Sequence, residues 1–268
     1  MAIRRCDWRG SVVKNRSSGS TRWVDVAPER FPGWIASFAR RHGANDQNSP
    51  LTVTLTGGNV TFTAPDGAVA ECHPPFPPFD PPDKDSTAER MAEAIAAHAQ
   101  QPRTVGVLLV RLGGYAAGVF TGFPPVLADA KTGSRLVHGR SAAGGWSQHR
   151  FARRREKQVN EALDAAARAA TDVFGRWGRS GETRGRSDEK ITARSGDAEA
   201  TRKPQLDAVV LGGDKRAMAE LREDPRLAPY VAIATDRFLT VPDPKRAVLE
   251  DAPRLFLAVR IRLTEPSP

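Results

Sequence analysis

The sequence predicts a mixed α/β sheet with packed helices, preceded by a small α+β unit. Three observations predict it. The run VGVLLVR at 105–111 is a continuous apolar run suited to a central strand, and LDAVVL at 206–211 reads as a second buried strand. Between them, Phe151, Val159, Leu163, Ala166, Ala167, Ala170, Val173, Phe174 and Trp177 recur at helical spacing. Upstream, residues 51–72 alternate apolar and polar positions between glycine turns, the mark of a short antiparallel meander.

Taken in order, residues 1–21 are basic and polar and predict a poorly ordered tip. Val24 to Val26 begin an edge strand. Pro28 introduces a helix over 28–42, with Phe31, Trp34, Ile35, Phe38 and Ala39 near helical spacing and Gly43 as its stop. Strands follow at Leu51–Leu55, Val60–Phe62 and Ala68–Cys72, joined by Gly57-Gly58 and by Pro65-Asp66-Gly67. The segment PPFPPFDPPDKDS, 74–86, predicts an extended connector and a domain boundary. A helix over 87–100 carries Met91, Ile95 and His98 on one face, with Ser86 or Thr87 as its cap. The run 105–111 then pairs with a returning strand 115–121 across Gly113-Gly114, and residues 126–138 supply a third strand bent near Gly133.

A helix over 148–177 follows, long enough to reach about 45 Å. Residues 178–203 are poor in large apolar groups and predict a disordered loop. After the strand at 206–211, Gly212-Gly213-Asp214 opens a helix 215–223, with Asp214 as its cap. Strands at 231–241 and 255–263 flank a helix at 244–251. The order βββαβαβ(α)β begins with an antiparallel meander, as RNase H-like sheets do. The expected domains are a small α+β unit over 1–73, the connector 74–86, and a larger domain over 87–268.

Composition sets limits on function. No run of the 268 residues approaches the length of a membrane span, and the first residues lack the apolar stretch of a secretory signal. A cytoplasmic protein with no membrane partner is therefore expected. Cys6 and Cys72 are too few for a disulfide framework and lie in no metal-binding spacing. His73 beside Cys72 is a weak metal pair, and His98 reads as packing. A net charge of +9, with an isoelectric point near 10.1, favours a polyanionic partner. The excess is concentrated. Between 135 and 157, Arg135, Arg140, Arg150, Arg153, Arg154, Arg155 and Lys157 face only Glu156, so seven minus one leaves +6.

The stretch GRSAAGGWSQHRFARRREK, 139–157, combines that patch with a flexible tip. Gly144 and Gly145 let backbone approach a ligand where a Cβ would collide. Trp146, Ser147 and Gln148 follow, and then the arginine-rich helix start, a clamp for phosphates. Other chemistries find little support. Asp129 and Asp207 form no obvious carboxylate set for two metal ions. GGWSQ is not a nucleophile elbow, and Ser147 and His149 are too close in sequence to share a helix face. No phosphate-binding glycine fingerprint occurs.

The stretch GRSAAGGWSQHRFARRR, with LVHGR before it and LDAVVLGGDKRAM after it, resembles the release-factor-like peptidyl-tRNA hydrolase family of actinobacterial type. That family is similar to the catalytic domain of eukaryotic and archaeal class I release factors. It is also similar to the ribosome-quality-control tRNA hydrolase of the ankyrin-repeat and zinc-finger family. The resemblance covers about residues 87–268. It implies that a Gly-rich loop ending in glutamine enters the peptidyl-transferase centre, with Gly144, Gly145 and Gln148 matching as GGxSQ. Gln148, with Ser147, Gly145 and Gly144, is then the catalytic set. Arg140, Trp146, Arg150, Arg153, Arg154, Arg155 and Lys157 are the RNA-binding set. The implied partners are the large ribosomal subunit, tRNA, ribosomal RNA and the nascent peptidyl-tRNA, met by a monomer with no cofactor and no metal. Trp146 departs from the plain GGQ of release factors. No codon-reading domain is evident, which points to rescue of stalled chains rather than codon-dependent termination. Two alternatives stand beside this: cleavage of the tRNA near its 3′ CCA end, and a non-catalytic RNA- or ribosome-binding factor.

Overall fold

The computed structural model describes residues 20–44, 49–83, 86–111, 113–134, 147–178 and 205–266, with side chains along the third helix described from residue 156 onward. The first expected strands are there. β1 (Thr21–Val26) leads through a 3-10 turn at Pro28–Arg30 into α1 (Phe31–Arg41). β2 (Thr52–Thr56), β3 (Asn59–Thr63) and β4 (Val69–His73) form the meander. Gly57 and Gly58 both hold positive φ, 58° and 85°, as a two-residue hairpin turn with the twist of its flanking strands requires. α2 (Ala88–Ala99) starts where Thr87 Oγ1 accepts from Arg90 N.

The second part is built on β5 (Arg103–Arg111), β6 (Gly114–Gly122), β7 (Val126–Ser134), β8 (Ala208–Gly213) and β9 (Ala234–Leu239). The sheet runs β7-β6-β5-β8-β9, antiparallel across the first three strands and parallel from β5 through β8 to β9. This is the mixed order expected of the sequence. One face is covered by α3 (Ser147–Gly175) and α4 (Lys215–Arg222), burying Leu108, Val119, Val173, Phe174 and Leu211. The other carries α6 (Arg246–Glu250) and α7 (Ala252–Phe256) over Val107, Leu109, Phe120 and Val210. Burial on both sides is why VGVLLVR shows no alternation. A short α5 (Ala228–Val231), which the sequence reading did not anticipate, precedes β9.

The last strand corrects the expected organisation. LFLAVRIRL was expected to finish the second sheet. Its residues 255 and 256 end α7, and β10 (Val259–Thr264) instead joins the first sheet, ordered β1-β10-β4-β3-β2 and antiparallel throughout. Val259, Ile261 and Leu263 point into the first core with Val60, Phe62, Ala70 and Cys72. Phe31, Ile35 and Phe38 of α1 and Met91, Ala92 and Ile95 of α2 close that core from one side. Fully burying a Phe or Ile side chain is worth about 1.5–3 kcal/mol, so α2 and β10 are held to the first unit by substantial packing. A boundary at residue 86 therefore cuts through one core.

The proline-rich segment is likewise not a free spacer. Phe76 is buried in the second core and Phe79 in the first. His98 Nε2 lies 3.0 Å from both Pro75 O and Phe76 O, so that nitrogen carries the proton and donates. Arg103 stacks over the Phe76 ring at 4.9 Å. The strap fastens the two cores together. Of the tip expected over 1–21, the strand continuation to 138 and the loop expected over 178–203, residues 1–19, 135–138 and 179–203 lie outside the described residues.

Candidate nucleic-acid interface and release site

The central element is α3, of 29 residues, about 43 Å long. Two ion pairs give its direction over the sheet. Lys131 Nζ meets Asp172 Oδ2 at 2.7 Å and Arg176 Nε meets Asp129 Oδ2 at 2.6 Å. Four residues down the helix match two residues back along β7, so the two run antiparallel. Extrapolated at about 1.5 Å and about 3.3 Å per residue, the end of β7 at Ser134 lies level with about residue 165 of the helix. Burial agrees. Among residues with described side chains, the first buried position on α3 is Ala162, followed by Ala165, Ala166, Ala167, Ala169 and Ala170. Residues 147–161, about 22 Å of helix, therefore extend beyond the described part of the sheet at the carboxyl ends of its parallel strands.

A cluster of charges braces the point of departure. Asp164 receives Arg226 Nη1 at 2.9 Å and Arg168 Nη2 at 2.6 Å, and Arg226 Nη2 also reaches Asp224 at 2.6 Å. The Arg226 side chain beside Asp224 holds that carboxyl below the usual range, and Arg176 does the same to Asp129. These partners were missed in the sequence. Asp164 and Arg168 carried a signal, being four apart on a helix; Arg226 sits in a loop and carried none.

Of the predicted site positions, 147, 148, 150, 153, 154, 155 and 157 lie in the projecting part of α3. Ser147 and Gln148 are the first two residues of α3, so their backbone N–H groups lack intrahelical acceptors. Helical repeat places positions 150, 153, 154 and 157 along one face, opposite the stripe of Ala162, Ala166 and Val173 that meets the sheet. Position 155 falls off that face. Lys157 is 79% exposed and only loosely paired with Glu161 at 4.0 Å, a contact worth little to stability. Arg140, Gly144, Gly145 and Trp146 lie outside the described residues.

Other expected features resolve as structure. Asp214 Oδ1 accepts from Arg216 N and Ala217 N, both at 2.9 Å, capping α4. Gly213 before it has φ 103°, and a Cβ there would lie 2.1 Å from Val110 O. Asp129 is held by Arg176, and Asp207 accepts from Thr104 N at 2.7 Å at the far end of the sheet. Cys72 is buried, which pushes its thiol pKa up and keeps it protonated. Among the described residues no group of three or more His, Cys, Asp or Glu converges on a metal position, and no helix is long and apolar enough to cross a membrane.

Comparison with known proteins gives the family. Among curated proteins none matches the chain. Solved structures similar to it include an archaeal translation termination factor, aRF1, at 15% identity and TM-score 0.37 over 88% of this chain. Another is described only as an archaeal protein, at 14% identity and TM-score 0.27, again over 88%. The chain spans 66% and 64% of the length of those two proteins. The sequence profile of the Actinobacteria/chloroflexi VLRF1 release factor, acVLRF1, matches residues 103–262, which take in the whole second sheet, α3 and most of β10. That match spans more than half of the chain, and the protein belongs to the acVLRF1 release factor family.

Proposed function

We propose that the chain is a peptidyl-tRNA hydrolase acting on ribosome-bound peptidyl-tRNA, freeing the nascent chain when translation has stalled. The observation that carries this reading is the basic overhang of α3 with Ser147 and Gln148 at its tip, in a member of a release-factor family. The reaction is attack of water on the ester carbonyl that joins peptide to the tRNA ribose. The C–O bond to the ribose breaks, its oxygen takes a proton, and peptide carboxylate and deacylated tRNA leave. Such an ester needs its water placed more than activated. A glutamine amide both donates and accepts, so Gln148 can hold that water in line. The N–H groups of the first helical turn supply donors for the developing oxyanion, each worth about 10²–10³ in rate where well aimed. Gly144 and Gly145 keep the tip thin, and Arg140, Trp146, Arg150, Arg153, Arg154, Arg155 and Lys157 grip RNA. The protein works on the large subunit in the cytoplasm, as a monomer and without metal or cofactor.

The test incubates wild type and Gln148→Ala with purified stalled large-subunit–peptidyl-tRNA complexes and resolves both the peptide and the RNA ends. The expected result is peptide freed by wild type with the tRNA still ending in CCA, and a loss of at least about 10²-fold in release by the variant while it still binds the particle. A tRNA lacking its CCA would assign the cleavage to the nucleic acid instead. Unchanged release by Gln148→Ala would reduce the protein to a binding factor.

A further inference from the structure

A second site lies where the first sheet meets the start of β9, away from the overhang. The face of the first sheet not covered by α1 and α2 carries Trp23 of β1, Arg260 and Arg262 of β10, and Glu71 and His73 of β4. These positions are brought together by the registers Trp23–Arg262 and Arg260–His73. Trp23 is 49% exposed, one of few large apolar side chains so open. The Arg260 guanidinium lies over its ring at 4.6 Å, and the His73 ring stands 5.3 Å from it at 55°. Beside them opens a cleft of about 350 Å³, lined by Arg237, Arg260, Thr235, Asp236 and Asn59, in which two guanidinium groups face the single carboxylate of Asp236. That volume falls in the small-ligand range of about 300–1,000 Å³.

The polar groups in the cleft are unevenly satisfied. Arg237 is engaged: Nη2 donates to Asp25 Oδ1 at 2.8 Å and Nη1 to Ala258 O. Arg262 is taken by Glu71. Arg260 has no carboxylate partner among the described residues, and its Nε is buried without an acceptor, as is Thr235 Oγ1 nearby. A buried donor left unmade costs about 1–3 kcal/mol. The cleft thus presents a guanidinium in need of an acceptor next to an aromatic face in need of a cover.

We propose that this cleft binds an unpaired nucleotide of single-stranded RNA, its base stacked on Trp23 and its phosphate held by Arg260. Stacking on an aromatic ring is open to any base, and an arginine against the same ring adds cation–π attraction. A phosphate supplies the anionic partner that the Arg260 guanidinium lacks among the described residues. Naming RNA rather than another polyanion rests on the function proposed above; the stacking site itself rests only on the geometry.

The test is fluorescence anisotropy of a labelled single-stranded oligoadenylate with the full-length protein, in wild type and in an Arg153→Glu/Arg154→Glu background that weakens the α3 contribution. In both, Trp23→Ala should weaken binding by about 5- to 100-fold while Trp23→Phe keeps most of it. Arg260→Gln should weaken it too and lower the salt slope by about one contact. Thermal unfolding checks that each variant is folded, and Trp23→Phe serves as the folded reference if Trp23→Ala is not. Equal affinity of Trp23→Ala and its parent, or of Trp23→Phe and Trp23→Ala, overturns the proposal. So does duplex RNA that competes as well as single strands. Peptide release does not enter the measurement, so failure of Gln148→Ala to affect release would leave this result standing, and the reverse.

Discussion

At the scale of single residues, His98 shows how a side chain read as packing acquires a pH dependence. Its ring packs edge-on against Phe79 at 5.4 Å while Nε2 donates to the strap carbonyls. Burial, with the Arg103 charge adding to it, pulls its pKa below the ordinary value; the hydrogen bonds to Phe76 and Pro75 oppose the shift without reversing it. His73 shifts the same way, again chiefly through burial. A group with a lowered folded-state pKa contributes stability that is complete above its unfolded value, about 6.5, and is lost as pH falls through that value toward the folded one. Thermal unfolding followed from about pH 8 to about pH 5 should therefore show the midpoint falling on the acid side of about 6.5. His98→Gln, which can still donate to the same carbonyls, should flatten that decline in part, leaving the share due to His73. An unaltered pH profile in His98→Gln would show that the imidazole is not the group responsible. At this scale the sequence was informative wherever a residue acts on its own neighbours. Asp214 was readable as a cap because its partners are two and three residues away. The demand at Gly213 was not, because it comes from Val110 on a strand a hundred residues earlier.

At the scale of elements, α3 joins a part whose nature was readable to a part that was not. Its apolar period gave the helix and its sheet-facing stripe, and the glycines before it gave its start. Its overhang depends on where β7 ends relative to Ala162, and no local pattern encodes that. The same holds for the strap, whose prolines predict extension but whose Phe76 and Phe79 choose opposite cores. The overhang has a mechanical consequence. A proline at position 159 removes one intrahelical hydrogen bond and clashes with the carbonyl four residues before, costing about 3 kcal/mol inside a helix. Here the break falls before the first buried residue, so it disturbs the projecting part and spares the packed half. Val159→Pro should lower helical content slightly by circular dichroism and leave the unfolding midpoint close to that of Val159→Ala. Peptide release should be lost, because the tip no longer stands on a rigid stalk. Release by Val159→Pro at the level of Val159→Ala would mean that the loop works without a fixed direction, and that the braces at Asp164 and Arg226 serve stability alone.

At the scale of the whole molecule, the chain closes on itself. The alternation in LFLAVRIRL announced a strand, but period two says only that one face is buried and does not say against which sheet. The answer lies with β1 and β4, far back in the sequence, through pairs such as Val24 with Ile261 and Cys72 with Ile261. Because β10 is the only partner of β1 among the described residues and lies between it and β4, the described part of the first unit does not complete its sheet from its own segment. The strap and β10 together tie the overhang and the Trp23 cleft into one body. Those two regions lie at opposite ends of the second sheet, since Thr235 lies at the start of β9 and α3 leaves beyond the ends of β5 and β8. A strand of six residues plus the overhang separates them by about 40 Å along the strand direction, a spacing suited to a large RNA surface rather than to one short strand. Ending the chain after Ala258 would leave β1 unpaired, uncover Phe62 and Ala70, and remove Arg262 from Glu71. The expected outcome is loss of the first core's cooperative unfolding and strong binding of a hydrophobic dye, while a chain ending after Glu265 unfolds like the intact protein. The second sheet, whose own strands all precede residue 240, should retain its secondary structure in the shorter chain. If that chain instead unfolds in a single transition at the intact protein's midpoint, the first unit stands without β10, and the fixed spacing between the two regions proposed to bind RNA goes with it.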